Sequence, residues 1–355
     1  DTSGVPLASA TVGSPFEAGN ATRWWRSTGL FTQGRASWRN AVFVQGGVRL
    51  EHISGLTLAS QAALLPMLGA AWVREHGPAS LKLRGAFGRG VRPVRFATTP
   101  HFLPVDPEVQ SGVEWGADVR VDVPGGAHVA LQATRFDQRA SNLVQPALTT
   151  PDPACYRQGL GGSRGSRPGS ACTGGAGGYG YLAQNVGQID NDGWEMQASV
   201  DRGPLTLSSS LAFVDSRVRG LSVTYTGDLL IGDRMLEVPA RTLGLAATWS
   251  MPRWTLGVNS AHASDWRNYD RVALAAAVAH ADADGTRRPD GAALRPFVRG
   301  YAGVTRVGAR LDVALWRNTA LTLRGDNLLG RQLGEPDNAT VLPGRTVVMG
   351  VRTGF

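Results

Sequence analysis

Val113-Glu-Trp-Gly-Ala-Asp-Val-Arg-Val-Asp-Val123 alternates without a break. Val113, Trp115, Ala117, Val119, Val121 and Val123 fall on one side of an extended chain; Glu114, Gly116, Asp118, Arg120 and Asp122 fall on the other. Successive side chains of a strand point to opposite faces, so the stretch predicts a strand with one apolar and one charged face. The same alternation recurs outward in both directions. Leu81, Leu83 and Phe87 oppose Lys82 and Arg84, and Trp194, Met196, Ala198 and Val200 oppose Glu195, Gln197 and Ser199. Leu205, Leu207, Leu211 and Phe213 oppose Thr206, Ser208 and Ser210, and Leu243, Leu245, Ala247 and Trp249 oppose Gly244, Ala246 and Thr248. Val307 to Leu315 sets its apolar side against Arg310 and Asp312, and Leu321 and Leu323 oppose Thr322 and Arg324.

Strands of soluble sandwiches commonly run about 5–6 residues. Several runs here reach about 10 or more, the length a tilted strand needs to cross a bilayer. The apolar face would then meet lipid and the charged face a wet lumen. Lipid offers no partner to a backbone amide, so such a sheet has to close on itself. The expected fold is all-β: a transmembrane antiparallel β-barrel, with residues 1–355 forming one barrel unit of about fourteen strands. These fall near 4–13, 22–37, 40–53, 64–75, 80–89, 111–123, 126–138, 188–201, 204–217, 240–250, 253–264, 297–315, 319–328 and 345–355. Between them short turns (Trp38-Arg39-Asn40, His76-Gly77-Pro78, Pro124-Gly125-Gly126, Arg202-Gly203-Pro204, Met251-Pro252-Arg253, Arg317-Asn318) alternate with long stretches at 90–110, 139–188, 218–239, 265–296 and 329–344. Short turns on the periplasmic side and long loops outside are the outer-membrane pattern.

Composition narrows the alternatives. The net charge is +8, yet Lys82 is the only lysine and the arginines are spread along the chain. Nucleic-acid proteins gather their cations on one patch, so no nucleic-acid partner is expected. The longest apolar run, Val272 to Ala279, is eight residues, well short of the roughly 20 of a membrane helix. The only two cysteines, Cys155 and Cys172, sit in a Gly/Ser/Pro-rich stretch and suggest a disulfide that pins that loop, the alternative being two free thiols. The chain opens Asp-Thr-Ser-Gly with neither Met nor an apolar leader, which reads as a mature chain or a fragment. Neither a phosphate-cradling glycine loop nor a strand-to-helix nucleophile elbow is read in the chain, and the histidines (His52, His76, His101, His128, His262, His280) lack metal-ligand spacing. An enzyme and a cofactor are not expected. Asp282 and Asp284 are spaced like part of a calcium loop but lack the later bidentate Glu, which favours a solvated loop. Trp266 and Tyr269 lie where a strand leaves the membrane, in an interfacial aromatic girdle or as substrate contacts.

The C-terminal third carries a resemblance. Leu321-Thr-Leu-Arg-Gly-Asp-Asn-Leu-Leu-Gly330 is followed by Glu335-Pro-Asp-Asn338 and then by Leu342-Pro-Gly-Arg-Thr-Val-Val-Met-Gly-Val-Arg-Thr-Gly-Phe355. Here Asn327 and Leu328 close a penultimate strand, Pro343, Gly344 and Arg345 open the last, and the chain ends on an aromatic residue. With Phe43–Glu51, Leu81–Pro93, Gln184–Glu195 and Val238–Thr242 in order, this resembles the barrel of TonB-dependent outer-membrane receptors. The resemblance implies a 22-stranded barrel around an N-terminal plug. Nothing in the chain is similar to the plug, so the chain is expected to be the C-terminal portion of a longer transporter. It also implies that Phe355 is the signal read by the barrel assembly machinery.

The expected function is that of the barrel portion of an active transporter in the bacterial outer membrane. It would import a siderophore, cobalamin, oligosaccharide or peptide, with energy delivered by TonB through the plug and with outer-membrane lipid and lipopolysaccharide around it. A passive porin, and after it an outer-membrane enzyme or adhesin, are the alternatives.

Overall fold

The computed structural model describes residues 26–54, 61–92, 106–149, 180–286, 288–316, 318–332 and 337–353. The expected first strand, both cysteines and Phe355 lie outside these residues. In chain order the elements are β1 (Arg26–Trp38), β2 (Val42–Ser54), β3 (Gln61–His76), β4 (Ala79–Arg92), β5 (Glu108–Val123), β6 (Ala127–Thr149), β7 (Gly180–Arg202), β8 (Leu205–Leu221), β9 (Arg241–Met251) and β10 (Trp254–Ala263). They continue with β11 (Trp266–Tyr269), helix α1 (Arg271–Asp284), a 3₁₀ turn (Gly291–Phe297), β12 (Val298–Tyr301), β13 (Val304–Trp316), β14 (Thr319–Asp326) and β15 (Thr346–Thr353).

Thirteen strands form one antiparallel meander, each paired with its neighbours in sequence apart from the β10–β13 step, while β11 and β12 pair separately. Among the described residues β1 and β15 are free edges of this sheet. All the tight connections fall at one end. Between β1 and β2, Arg39 and Asn40 both take positive φ (52° and 50°), and Ala41 N–H closes on Trp38 C=O at 3.0 Å. That is the primed turn whose twist matches a hairpin.

Register carries the sequence alternation across the sheet. Leu83, Ala117, Ala133, Met196, Leu211 and Leu243 stand side by side in one row on one face. The next row, on the opposite face, is Arg84, Gly116, Thr134, Glu195, Ala212 and Thr242. The apolar face is bare: Trp115 is 54% exposed, Leu131 49% and Met349 72%. The hydrophobic core lies elsewhere, among Val186, Ile189, Val218, Leu229 and Met235 under the long connections. A soluble protein does not leave an apolar surface of this extent uncovered; a lipid-facing sheet does.

Tryptophan marks the ends of the apolar face. Trp38 and Trp72 flank Val42 in one row, and Trp249, Trp254 and Trp316 also lie at the short-turn end. At the other end Trp115 and Trp194 pack edge to face with centroids 5.2 Å apart. Trp115, Trp194 and Phe213 each stand eight residues from the short-turn end of their strands. That is about 27 Å of strand and about 21 Å of height at a tilt of about 40°, close to the ~25 Å band of outer-membrane barrels.

Three expectations are corrected. The stretch 139–188 is not wholly a connection, because β6 runs on to Thr149 and β7 begins at Gly180. The register shifts between Ala140 and Val144, where Asn142 takes φ 57°, and the ladder resumes with Val144 opposite Asn185. The single strand at 297–315 is two: β12 leaves the main sheet to pair with β11. At the break a Cβ on Gly303 would lie 2.6 Å from Ala263 C=O, so only glycine fits there. The connection 265–296 holds a helix. Asp270 caps its start by accepting from Ala273 N–H at 2.9 Å, and Gly285 ends it at φ 66°. No helix among the described residues is long and apolar enough to cross a membrane.

Candidate functional site

The polar face is a lattice of short charged and neutral side chains. Asp118 of β5 takes Arg84 (3.4 Å) and Lys82 (3.6 Å) from β4, and Arg84 donates to Thr134 Oγ1 of β6 at 2.6 Å. Beyond β10, Arg310 meets Asp312 at 2.6 Å, Asp312 accepts from Thr322 Oγ1 at 2.6 Å, and Arg324 meets Asp326 at 2.9 Å. These pairs are half exposed, so their value to stability is small. What they set is the electrostatics of a wet surface. A cavity of about 550 Å³ opens among Asp118, Arg120, Gln132, Gln197, Ser208 and Ser210.

Above the sheet, at the end of the long connections, a polar cap is assembled from segments far apart in sequence. Tyr269 of β11 donates to Asp228 Oδ1 at 2.7 Å, and Arg295 of the 3₁₀ turn donates to Asp228 C=O at 3.0 Å and to Asp233 Oδ2 at 2.6 Å. Burial raises the Asp228 carboxyl above the usual carboxylate range, whereas the Arg295 guanidinium holds Asp233 below it. Burial, reinforced by the Asp228 charge, also pushes the Tyr269 phenol up. A cavity of about 230 Å³ lies between Asp228, Asp233, Arg234, Arg267 and Arg295. Arg234 crosses to Asp265 at 2.9 Å, which keeps that carboxyl ionised.

Helix α1 ties the cap to the last connection. Asn338 Oδ1 accepts from Arg271 N–H at 2.9 Å, its Nδ2 donates to Asp270 Oδ1 at 2.6 Å, and Asp337 pairs with Arg271 at 3.1 Å. With the Ala273 amide, Asn338 and Arg299 all bonded to it, Asp270 is held at a pKa of about 2.

The residues of the C-terminal pattern form a knot at the foot of that connection. Asn327, at φ 49°, donates to Arg331 C=O (2.7 Å) and Pro343 C=O (3.0 Å) and accepts from Arg331 N–H (3.0 Å). Arg345 Nε donates to Leu328 C=O at 2.9 Å. Asparagine tolerates left-handed backbone, and its amide both donates and accepts. Asn327, Leu328, Pro343 and Arg345 thus join the end of β14 to the start of β15, with Gly344 between them.

Trp266 and Tyr269 belong to the cap and not to a girdle at the sheet margin. Trp266 is 4% exposed and stacks on Tyr301 at 6.2 Å, and Tyr301 Oη donates to Tyr269 C=O at 2.6 Å. Asp282 lies within α1 and meets Arg288 at 2.7 Å. Among the described residues no group of three or more His, Cys, Asp or Glu is arranged to hold a metal. Sequence reading missed Asp228, Asp233 and Arg295, and quoted Asn338 only as part of the C-terminal pattern. Only the Asp270 and Gly285 caps had a local signal.

The model of the family described as TonB dependent receptor-like, beta-barrel matches residues 3–328. Among solved structures, the FrpB iron transporter from Neisseria meningitidis (F3-3 variant) is similar, with TM-score 0.59 and 16% identity over 92% of this chain and 45% of that one. The copper transporter OprC matches with TM-score 0.59 and 15% identity over 93% and 48%. The siderophore receptor PirA from Acinetobacter baumannii matches with TM-score 0.61 and 12% identity over 93% and 46%. This chain therefore spans about half the length of each. Among curated protein sequences none matches significantly.

Proposed function

The chain belongs to the TonB-dependent receptor-like β-barrel family, and on that premise we propose that it is the C-terminal wall of a transporter in the bacterial outer membrane. The observation that carries this reading is the separation of faces: one bare and apolar between tryptophan rows, the other charged, in a meander whose free edges lipid would leave unsatisfied. Further strands and a plug, supplied by sequence beyond this chain, would complete a barrel of 22 strands. TonB would act on that plug, and the barrel assembly machinery would insert the whole.

The cargo is a scarce nutrient, taken up by the polar face and the cap. Iron, copper and siderophore transporters stand among the structural neighbours, so metal chelates are the first to test, before cobalamin, oligosaccharides and peptides. The test is uptake of labelled ferric siderophores by cells carrying the full-length protein, with and without TonB. Accumulation that disappears without TonB supports active transport. Uptake indifferent to TonB, together with a steady conductance in planar bilayers, would replace this reading with a passive channel.

A further inference from the structure

The three arginines around the cap cavity come from three segments and differ in how they are held. Arg234, on the connection between β8 and β9, donates to Asp265 Oδ2 at 2.9 Å and to Asp265 C=O at 3.2 Å. Arg295, on the 3₁₀ turn, donates to both oxygens of Asp233, at 2.6 and 3.1 Å. Arg267, on β11, is exposed and acts on Asp233 only through its longer-range field. Its guanidinium makes no hydrogen bond or ion pair among the described residues. Two cations are thus fixed in place by carboxylates, and the third is free to meet a ligand. A guanidinium has five N–H donors, so the two fixed ones also keep some unused.

Size and charge define what fits. Pockets that enclose a whole drug-sized ligand run roughly 300–1,000 Å³. This cavity, at about 230 Å³, takes a single arm of a larger cargo. Its lining carries the three guanidiniums and two carboxylates, Asp228 and Asp233, an excess of one positive charge. A monoanion balances that excess, whereas a phosphate, at a charge of about −1.5 to −2, would overshoot it beside two aspartates. An aromatic arm has nothing to stack on, because no ring lines the cavity and Trp266 is buried against Tyr301. A carboxylate is planar, singly charged and matched to the guanidinium fork.

We propose that this cavity binds a free carboxylate carried by the cargo, and so selects metal chelates with such an arm, of the hydroxycarboxylate type, over catecholates. The inference rests on the reading of the chain as a transporter wall. Of the three arginines, Arg267 decides the selection, since it alone reaches the cargo unpaired. The aliphatic part of the lining, Leu229, Leu236 and Val298, would pack on the methylene carbons next to the carboxylate.

The experiment is isothermal titration calorimetry of the purified full-length protein in detergent with ferric citrate, a ferric tris-catecholate or inorganic phosphate. Ferric citrate should bind best, and about tenfold more weakly to Arg267→Gln. Arg267→Lys, which keeps the charge without the fork, should recover only part of that loss. Arg253→Gln, the same charge change at the short-turn end, should alter nothing. Ferric citrate binding unmoved by Arg267→Gln, or catecholate or phosphate bound as tightly as ferric citrate, overturns the site. Arg267 holds no other side chain, so its variants should fold as the parent does, and heat-modifiable migration on gels checks this separately. TonB-dependent uptake confined to chelates without a carboxylate contradicts only the pocket. Uptake indifferent to TonB contradicts the transporter reading and leaves the binding result standing.

Discussion

Single positions on the sheet have opposite tolerances on its two faces. Leu311 is at mid-strand in β13, beside Leu256 and Leu323 on the apolar face. Leu311→Arg should cost about 2–4 kcal/mol of folding stability in bilayers, measured by urea titration of the reconstituted protein. Thr322→Arg, on the polar face, should be close to neutral. Equal costs would refute the assignment of faces. In the cap, Asp270 gives a pH prediction with a definite sign. Its carboxyl is lowered from the ordinary value of 3.8 to about 2. The contribution of its ionised form to the cap is therefore complete above about pH 4 and is lost as the pH falls through about 2. Pepsin, which works across that range, should spare α1 at pH 4 and cut it at pH 2. Asp270→Asn should be cut already at pH 4, and identical digestion of both proteins would show that this carboxylate does not hold the helix start.

At the scale of the elements, strands were legible where both faces kept period two. The run from Val113 to Val123 is strand throughout. Legibility failed where the period broke. Asn142 shifts the register, so the residues beyond it read as loop although the β6–β7 ladder resumes at Val144. Helix α1 was read only as an apolar run, because the alanines of Val272–Ala279 show no one-sided stripe. The cap residues Asp228, Asp233 and Arg295 meet only after folding, at separations no local pattern records. One close approach gives an element-scale prediction. Gly193 faces Phe136 across the β6–β7 ladder, and a Cβ there would lie 2.7 Å from the Phe136 ring and clash with Phe213 C=O. Gly193→Val should force β7 and β8 apart, costing about 1–3 kcal/mol or more. It should sharply reduce the heat-modifiable barrel recovered from membranes. Undiminished recovery would mean that the ladder absorbs the side chain.

For the whole molecule, the decisive feature is the pair of free edges. β1 and β15 each present unpaired N–H and C=O groups among the described residues, and such edges invite aggregation in water and are untenable in lipid. Residues 1–355 expressed alone should therefore give oligomers or aggregates, with no heat-modifiable monomer on gels. The full-length protein should give the monomer. A stable monomeric barrel from residues 1–355 would mean that the edges close on each other and that no further strands are needed.

On the proposed reading, in which the long connections face out of the cell, the bond of Asn338 to the start of α1 has a consequence for how antibodies meet the molecule. It joins a segment near residue 338 to one near 270, together with Asp337 to Arg271, so the exposed surface is a mosaic of stretches distant in sequence. An antibody raised against a linear peptide covering residues 337–343 should bind the denatured chain and fail on intact cells. Sera raised against the folded protein should lose much of their titre when Asn338 is replaced by Ala, although no residue of α1 has changed.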